Sequence, residues 1–489
     1  MSRGARWLLL VCFAAALWGS FSPGWGWLAW LAPAPFFLAL RGGGVKGGLL
    51  WGLLGGFLFF LAELSPVLVL WPFLRGFSIP AWLLVSLYEA LFFAALGGVV
   101  GWRDSPWLWA GAWTLMEALR ALGPLGFSFG ALPVALVGTP FLPAAAWGSG
   151  LLSLAAAWTG AWLAAGLRKP RLLALSLLGP ALLGAAALLA PRPEVAAELK
   201  VALIQPGFSQ QEKLDRGNLP RLAADYRQLL NRVQRPLDLI AVPENALPAF
   251  LRGEPRYLEP FREAARRLAC DLLVGTGELR DGEVYNSVLF LGPDGEVKGV
   301  YDMVHLVPFG EYLPGRRLCE ALGLGPLLAR LLPYDLAPGS AVRPLDGYGA
   351  MICFESQFSS LSRILVRSGA GVLIALTNDA WFGRSRFLWE HFAMGGLRAA
   401  ETGRVFLQAA QTGITGVFDA SGRIMGALPP WEAGVLELAV PVYSGRTPFT
   451  RWGSLPALTA AGVLALIGLM GKGRRPRRLS RRGRAGTLD

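Results

Sequence analysis

Four short stretches carry residues that could do chemistry together: Glu244 in VPEN, Glu311 in PFGEY, Cys353 and Glu355 in ICFES, and Asn378-Asp379 in LTNDAWFG. A cysteine attacks a carbonyl as its thiolate, and a carboxylate held beside it in a closed site can take the proton. Taken singly each residue has an ordinary reading. A cysteine in a strand such as AMICF is as a rule a packing residue, an acid at a strand end is usually a solvated or capping group, and Trp381 and Phe382 would be core or membrane-facing aromatics. The weight lies in the set, a thiol with several carboxylates in one domain. The four cysteines (Cys12, Cys270, Cys319, Cys353) have no metal spacing, and only two histidines are present. No metal site and no cofactor are therefore expected, and a Cys270–Cys319 disulfide is left open.

Chemistry of this kind needs strands to aim it. The apolar runs LKVALIQP, LDLIAVPE, DLLVGTGEL, SVLFLGP, YGAMICFE and GVLIALTND are short and β-rich. Between several of them lie amphipathic stretches, NLPRLAADYRQLLNRV and YLEPFREAARRLA. The pattern is α/β, with strands buried on both faces and functional residues at strand ends.

The rest of the chain is too apolar for a soluble protein. Of 489 residues 54% are hydrophobic and 16% charged, and long apolar runs fill 6–190 and return at 453–471. At about 20 residues per span, seven spans are expected at 6–21, 24–40, 47–63, 79–101, 105–121, 141–166 and 171–190, with an eighth at 453–471. Two prolines make 24–40 a broken or re-entrant segment, and 105–121 carries Glu117 and Arg120. The expected organisation is a transmembrane bundle over 1–190, an α/β domain over 191–452, an anchor over 453–471 and a basic tail over 472–489. Arg3, Arg6, Arg41, Lys46, Arg103, Arg168, Lys169, Arg171 and the tail fall on one side if the N-terminus is cytoplasmic, which puts 191–452 outside. Much of the net charge of +13 lies at these membrane edges, so anionic lipid rather than nucleic acid accounts for it.

Pro243-Glu244, Tyr285-Asn286-Ser287, HLVPFGEYLP (305–314), ICFE (352–355), TNDAWFG (377–383), HFAMGGLRAAETGR and TGITGVFDASG carry a resemblance to a known family. Over its whole length the chain resembles the nitrilase superfamily and, within it, the apolipoprotein N-acyltransferases. The resemblance implies an αββα sandwich with a glutamate, a lysine and a cysteine as triad. Glu244 matches the general base, Cys353 the nucleophile and Glu311 an auxiliary carboxylate, while Phe354, Glu355, Asn286 and Trp381 match substrate-side positions. The implied partners are a phospholipid acyl donor, a diacylglyceryl apolipoprotein acceptor and the membrane, with the domain on the outer face of the inner membrane. One residue departs from the pattern, because Met303 stands where the lysine belongs. A thioether cannot hold a thiolate or an oxyanion, and Lys298, His305, Arg316, Arg317 and Arg343 are the nearby alternatives. A degenerate homologue that binds lipid or lipoprotein is the second reading, and a nitrilase-type amidase the third. The stretch 315–345 is expected either to form a mobile lid or to be an ordinary amphipathic insertion.

Overall fold

The computed structural model describes residues 1–167, 169–323, 325–326 and 332–471. The tail 472–489 and part of the expected lid lie outside the described residues.

The N-terminal part is helical: α1 (Arg3–Ser20), α2 (Pro33–Leu40), α3 (Gly44–Glu63), α4 (Ser78–Trp102), α5 (Pro106–Arg120), α6 (Gly150–Gly166) and α7 (Leu178–Leu188). Three helical stretches, Gly44–Glu63, Ser78–Trp102 and Pro170–Leu188, are long and apolar enough to cross a membrane; Gly26–Leu40, Ser65–Leu74, Gly150–Gly166 and Leu455–Met470 are shorter apolar ones. Segment 24–40 is broken, with a 3₁₀ turn at Gly26–Trp30 and proline opening α2. The single span expected at 141–166 is corrected. It is a 3₁₀ turn, Leu142–Trp147, followed by α6, and Gly148 at φ 112° parts them in a conformation that suits glycine.

Helices α3 and α4 touch backbone to backbone. A Cβ added to Gly48 would lie 2.1 Å from the Gly97 carbonyl oxygen, so only glycine permits this approach. The charged residues of 105–121 are matched inside the bundle. Arg120 pairs with Glu89 at 3.3 Å, and Glu117 accepts from the Leu132 amide at 2.9 Å and the Ser153 hydroxyl at 2.5 Å. An unmatched charge among apolar helices would be costly. These bonds also fold the loop after α5 back into the protein, where the Ser128 amide donates to Gln357 Oε1 at 2.9 Å.

The second part is a four-layer αββα sandwich. One sheet has the order β11-β1-β2-β3-β4-β5 and the other β10-β9-β8-β7-β6. Their spans are β1 Glu194–Gln205, β2 Leu239–Val242, β3 Asp271–Arg280, β4 Glu283–Leu291, β5 Val297–Asp302, β6 Tyr348–Ile352, β7 Val372–Thr377, β8 Phe406–Ala410, β9 Gly416–Phe418, β10 Ile424–Ala427 and β11 Gly434–Ser444. Strands β1–β3 are mutually parallel, as are β6–β8. Val201, Leu203 and Ala241 of one sheet meet Ile352, Ile374 and Leu407 of the other in a dry core. Outside the first sheet pack α8 (Leu219–Arg232) and α9 (Pro255–Leu268), through Leu222, Tyr226 and Phe261. Outside the second lie α10 (Ser359–Arg367) and α11 (Phe387–Thr402). The core there continues without a break into the bundle, joining Met351, Phe392 and Phe406 to Phe59, Phe93 and Trp113. A final helix, α12 (Leu455–Met470), packs back against α5, where a Cβ on Gly111 would lie 2.3 Å from Ala461 O.

Candidate active site

The C-terminal ends of β2, β6 and β7 converge, delivering Glu244, Cys353 and Asp379 to one place. Glu244 is wedged by its neighbours: a Cβ on Gly275 would come within 2.5 Å of its Cα. Its Oε1 accepts from Asn286 Nδ2 and its Oε2 from the Asn378 amide, both at 2.8 Å. The carboxyl and the Cys353 thiol are close enough that each acts on the other's protonation. Cys353 follows β6 at φ 46°, a left-handed conformation that a non-glycine residue holds only where its surroundings enforce it. Thr377 Oγ1 lies 3.4 Å from its sulfur.

Asn286 on β4 ties two carboxylates together, since its Nδ2 donates at 2.8 Å to Glu244 Oε1 and to Glu311 Oε1. Glu311 Oε2 accepts from the Val307 amide at 2.8 Å. Just past β5 stands Met303, 1% exposed, with its sulfur 3.7 Å from the same Asn286 nitrogen. A lysine there would lie against both carboxylates.

The expected substrate-side residues Phe354, Glu355, Asn286 and Trp381 each have defined packing or hydrogen-bond partners. Glu355 is fully buried, and its carboxylate accepts from the Ile352, Val304 and His305 amides at 2.9, 2.8 and 3.2 Å and from the Tyr301 hydroxyl at 2.9 Å. It ties the 303–305 loop to the cysteine turn. Asn286, 2% exposed, is likewise a bridge. Phe354 packs edge-on against Phe358 at 5.4 Å, and Trp381 against Phe73 at 5.1 Å.

The basic residues nearby in sequence, none of which the sequence singled out as a substitute for the lysine, are engaged as follows. Lys298 pairs with Asp294, Arg316 with Asp335 at 2.7 Å, Arg317 is exposed, and Arg343 lines a groove with Lys298 and Asp271. His305 stacks on Phe358 at 3.7 Å, and burial lowers its pKa, which favours the neutral ring. The cation at the site is one that sequence reasoning missed. Lys213, 3% exposed, sends Nζ to 3.5 Å from the Glu244 carbonyl oxygen. Its helix, Gln210–Leu214, is fixed by a capping box in which the Glu212 amide donates to Ser209 Oγ and Glu212 Oε2 accepts from the Ser209 amide. That S-x-x-E pattern was the one available signal. Gln210 of the same turn accepts from Asn378 Nδ2 at 3.0 Å.

His391 opens the quoted stretch HFAMGGLRAAETGR, but no role was read from it. Its Nδ1 lies 2.7 Å from Asp379 Oδ1, and its Nε2 3.0 Å from the Cys353 carbonyl oxygen. The Ser356 hydroxyl also lies 3.0 Å from Nε2, and Asp379 raises the ring's pKa against the opposing effect of burial. Cys353, Asp379 and His391 place ligand-type atoms within 4.8 Å of one another, with the Thr377 hydroxyl 2.8 Å from Asp379 Oδ1 and 3.5 Å from His391 Nδ1. The four cysteines are all free.

Burial and surrounding negative charge dominate the titration. Burial raises the pKa of Glu244, and burial with the charges of Glu244 and Asp379 raises that of Cys353. Glu311 is pushed up to about 7 by burial and by Glu244, and Glu355 to about 7 by burial. Lys213 is pulled down to about 8 by burial, against the opposing pull of Glu244.

A carbon-nitrogen hydrolase family pattern matches residues 200–447, and that of the apolipoprotein N-acyltransferase N-terminal domain matches 13–163. An apolipoprotein N-acyltransferase of Nitrosomonas europaea is 31% identical over 413 residues, covering 80% of this chain and 81% of its own. The chain belongs to the apolipoprotein N-acyltransferase family. Another relative of that name, from Azotobacter vinelandii, is 33% identical over 80% of this chain and 76% of its own. One from Geobacter metallireducens is 36% identical, its match spanning 56% of this chain and 54% of its own length. Among solved structures, a carbon-nitrogen hydrolase from Helicobacter pylori G27 is similar at 16% identity and a TM-score of 0.39, covering 54% of this chain and 95% of its own.

Proposed function

We propose that this protein moves a fatty acyl chain from a phospholipid to the N-terminal amine of diacylglyceryl-cysteine on apolipoproteins, through a thioester on Cys353. The observation that carries the reading is the convergence of the Glu244 carboxyl, held by the Asn378 amide, with the Cys353 thiol, held by the neighbouring Thr377 hydroxyl, in a chain of this family. In the first half-reaction the thiol proton passes to Glu244 and the sulfur attacks the ester carbonyl. The C–S bond forms, the acyl C–O bond breaks, and the proton from Glu244 goes to the departing lysophospholipid oxygen. In the second the acceptor amine attacks the thioester, its proton passes to Glu244, the C–N bond forms and the C–S bond breaks. Glu244 then returns the proton to the thiolate.

In this reading the 1–190 bundle and the 453–471 helix span the inner membrane, and 191–452 faces outward, so that both lipid substrates approach laterally. Exposed Phe309, Leu318 and Leu322 on the loop around Glu311 supply apolar surface for them. A second reading rests on Met303, whose buried thioether leaves the site without the triad cation: the protein binds lipid or lipoprotein and turns over poorly. Incubation with labelled phospholipid, followed by mass spectrometry of the Cys353 peptide, tests the first against the second. An acyl adduct on the unmodified protein, absent in Cys353→Ala, supports the enzyme. An adduct seen only after Met303→Lys supports the binder.

A further inference from the structure

The site holds more carboxylates than cations, and the question is what keeps Glu244 charged without a lysine at 303. The titratable groups around it are Glu311 from the loop after β5, Cys353 from the turn after β6, and Lys213 from the Gln210–Leu214 helix, with Asp379 and His391 behind the thiol. His391 is committed to Asp379 and to the Cys353 carbonyl. Lys213 is not paired in that way. Its stem is buried, its ammonium reaches the Glu244 carbonyl at 3.5 Å, and its charge acts on the Glu244 carboxyl. The capping box and the Gln210–Asn378 bond fix the turn that carries it.

We propose that Lys213 takes over the electrostatic part of the missing lysine's work, holding Glu244 as a carboxylate beside the Cys353 thiol. It acts through Glu244 and is a positioning residue. Its ammonium lies by the backbone carbonyl of Glu244, and the proposal gives it no part as a donor to the oxyanion. The inference rests on the acyltransferase reading for its purpose, but not for its test.

The test is the rate at which iodoacetamide alkylates Cys353 in the full chain across pH, read by mass spectrometry without phospholipid. Lys213→Met is expected to slow alkylation at neutral pH about tenfold, the equivalent of one pKa unit. In a Met303→Lys background the same substitution is expected to cost less than about threefold, because a second cation then faces Glu244. Lys213→Arg keeps the charge but does not titrate in this range. It should retain the reactivity and remove the effect of Lys213 deprotonation near pH 8, where the unmodified protein loses this cation. Equal losses from Lys213→Met in both backgrounds would overturn the proposal, as would an unchanged pH profile in a folded Lys213→Arg protein. If alkylation follows the expected pattern but phospholipid acylates none of the variants, Lys213 stands and the acyltransferase reading falls.

Discussion

Met303 occupies a position prepared for a cation, and its neighbours make the consequence calculable. Asn286, 3.7 Å from the sulfur, already bridges Glu244 and Glu311, so a lysine of similar length would find two carboxylates. Loss of one oxyanion donor costs on the order of 10²–10³ in rate. Met303→Lys is therefore expected to raise the single-turnover acylation of Cys353 by about that factor, measured with labelled phospholipid; no gain would mean that another group already fills the role. Glu311 gives a second expectation. Its pKa rises from 4.5, the ordinary value for a glutamate side chain, to about 7 in the fold, so the folded state binds the extra proton. The associated stability is full below pH 4.5 and is lost as pH rises through about 7. Glu311→Gln should shrink the fall in melting temperature across that window without abolishing it, because Glu355 titrates in the same range. Glu244, Glu311, Cys353 and the anomaly at 303 were legible because each sits in a contiguous motif. The placements of Lys213, and of His391 at the head of HFAMGGLRAAETGR, were not, since only the fold carries a lysine across 31 residues of chain to Glu244, or a histidine across 38 to the Cys353 carbonyl.

Among the elements, α11 links chemistry and bundle. At its start Arg386 pairs with Glu63 at the end of α3 and with Glu390 at 3.2 Å, both carboxylates fully buried, and its guanidinium lies 4.5 Å from the Trp18 ring of α1. Removing one partner of a buried charge cluster leaves the others uncompensated, at about 3–5 kcal/mol. Arg386→Ala should lower the melting temperature markedly in detergent, and Arg386→Lys should restore part of it; an unchanged melting temperature would show that the clasp is not structural. The short helix Arg316–Ala321 presents the opposite case, since none of its residues is buried. Its amides should exchange with deuterium far faster than those of β6, and strong protection there would remove its candidacy as part of a lid. The amphipathic helices α8 and α9 were plain from periodicity because each has one wet face. α11 has none, every residue but Trp389 being buried, so no 3.6-residue pattern marked it. Strands β8–β11 were not singled out either. β9 and β10 are only three and four residues long, and Pro441 sits within β11.

For the molecule as a whole, the proposed orientation is open to direct labelling. Cys319 is partly exposed on the domain proposed to face outward, whereas Cys12 lies within α1. In a Cys353→Ala background a membrane-impermeant maleimide added to intact spheroplasts should modify Cys319; labelling only after lysis would reverse the topology. The alternation of apolar runs and basic loops made the division of the chain readable. It gave no hint that the two parts share a core, because packing between distant segments leaves no local pattern. That shared core, running from Trp113 through Phe392 to Met351, has a consequence for inheritance. Excised alone, residues 191–452 are expected to uncover the apolar side of α11 and lose solubility, so in this chain the enzyme-like half is not a part that can be moved by itself. A working exchange between relatives would have to carry the loop that meets Gln357 and the arginine that meets Glu63 together, which makes the whole chain, rather than either half, the unit on which selection acts.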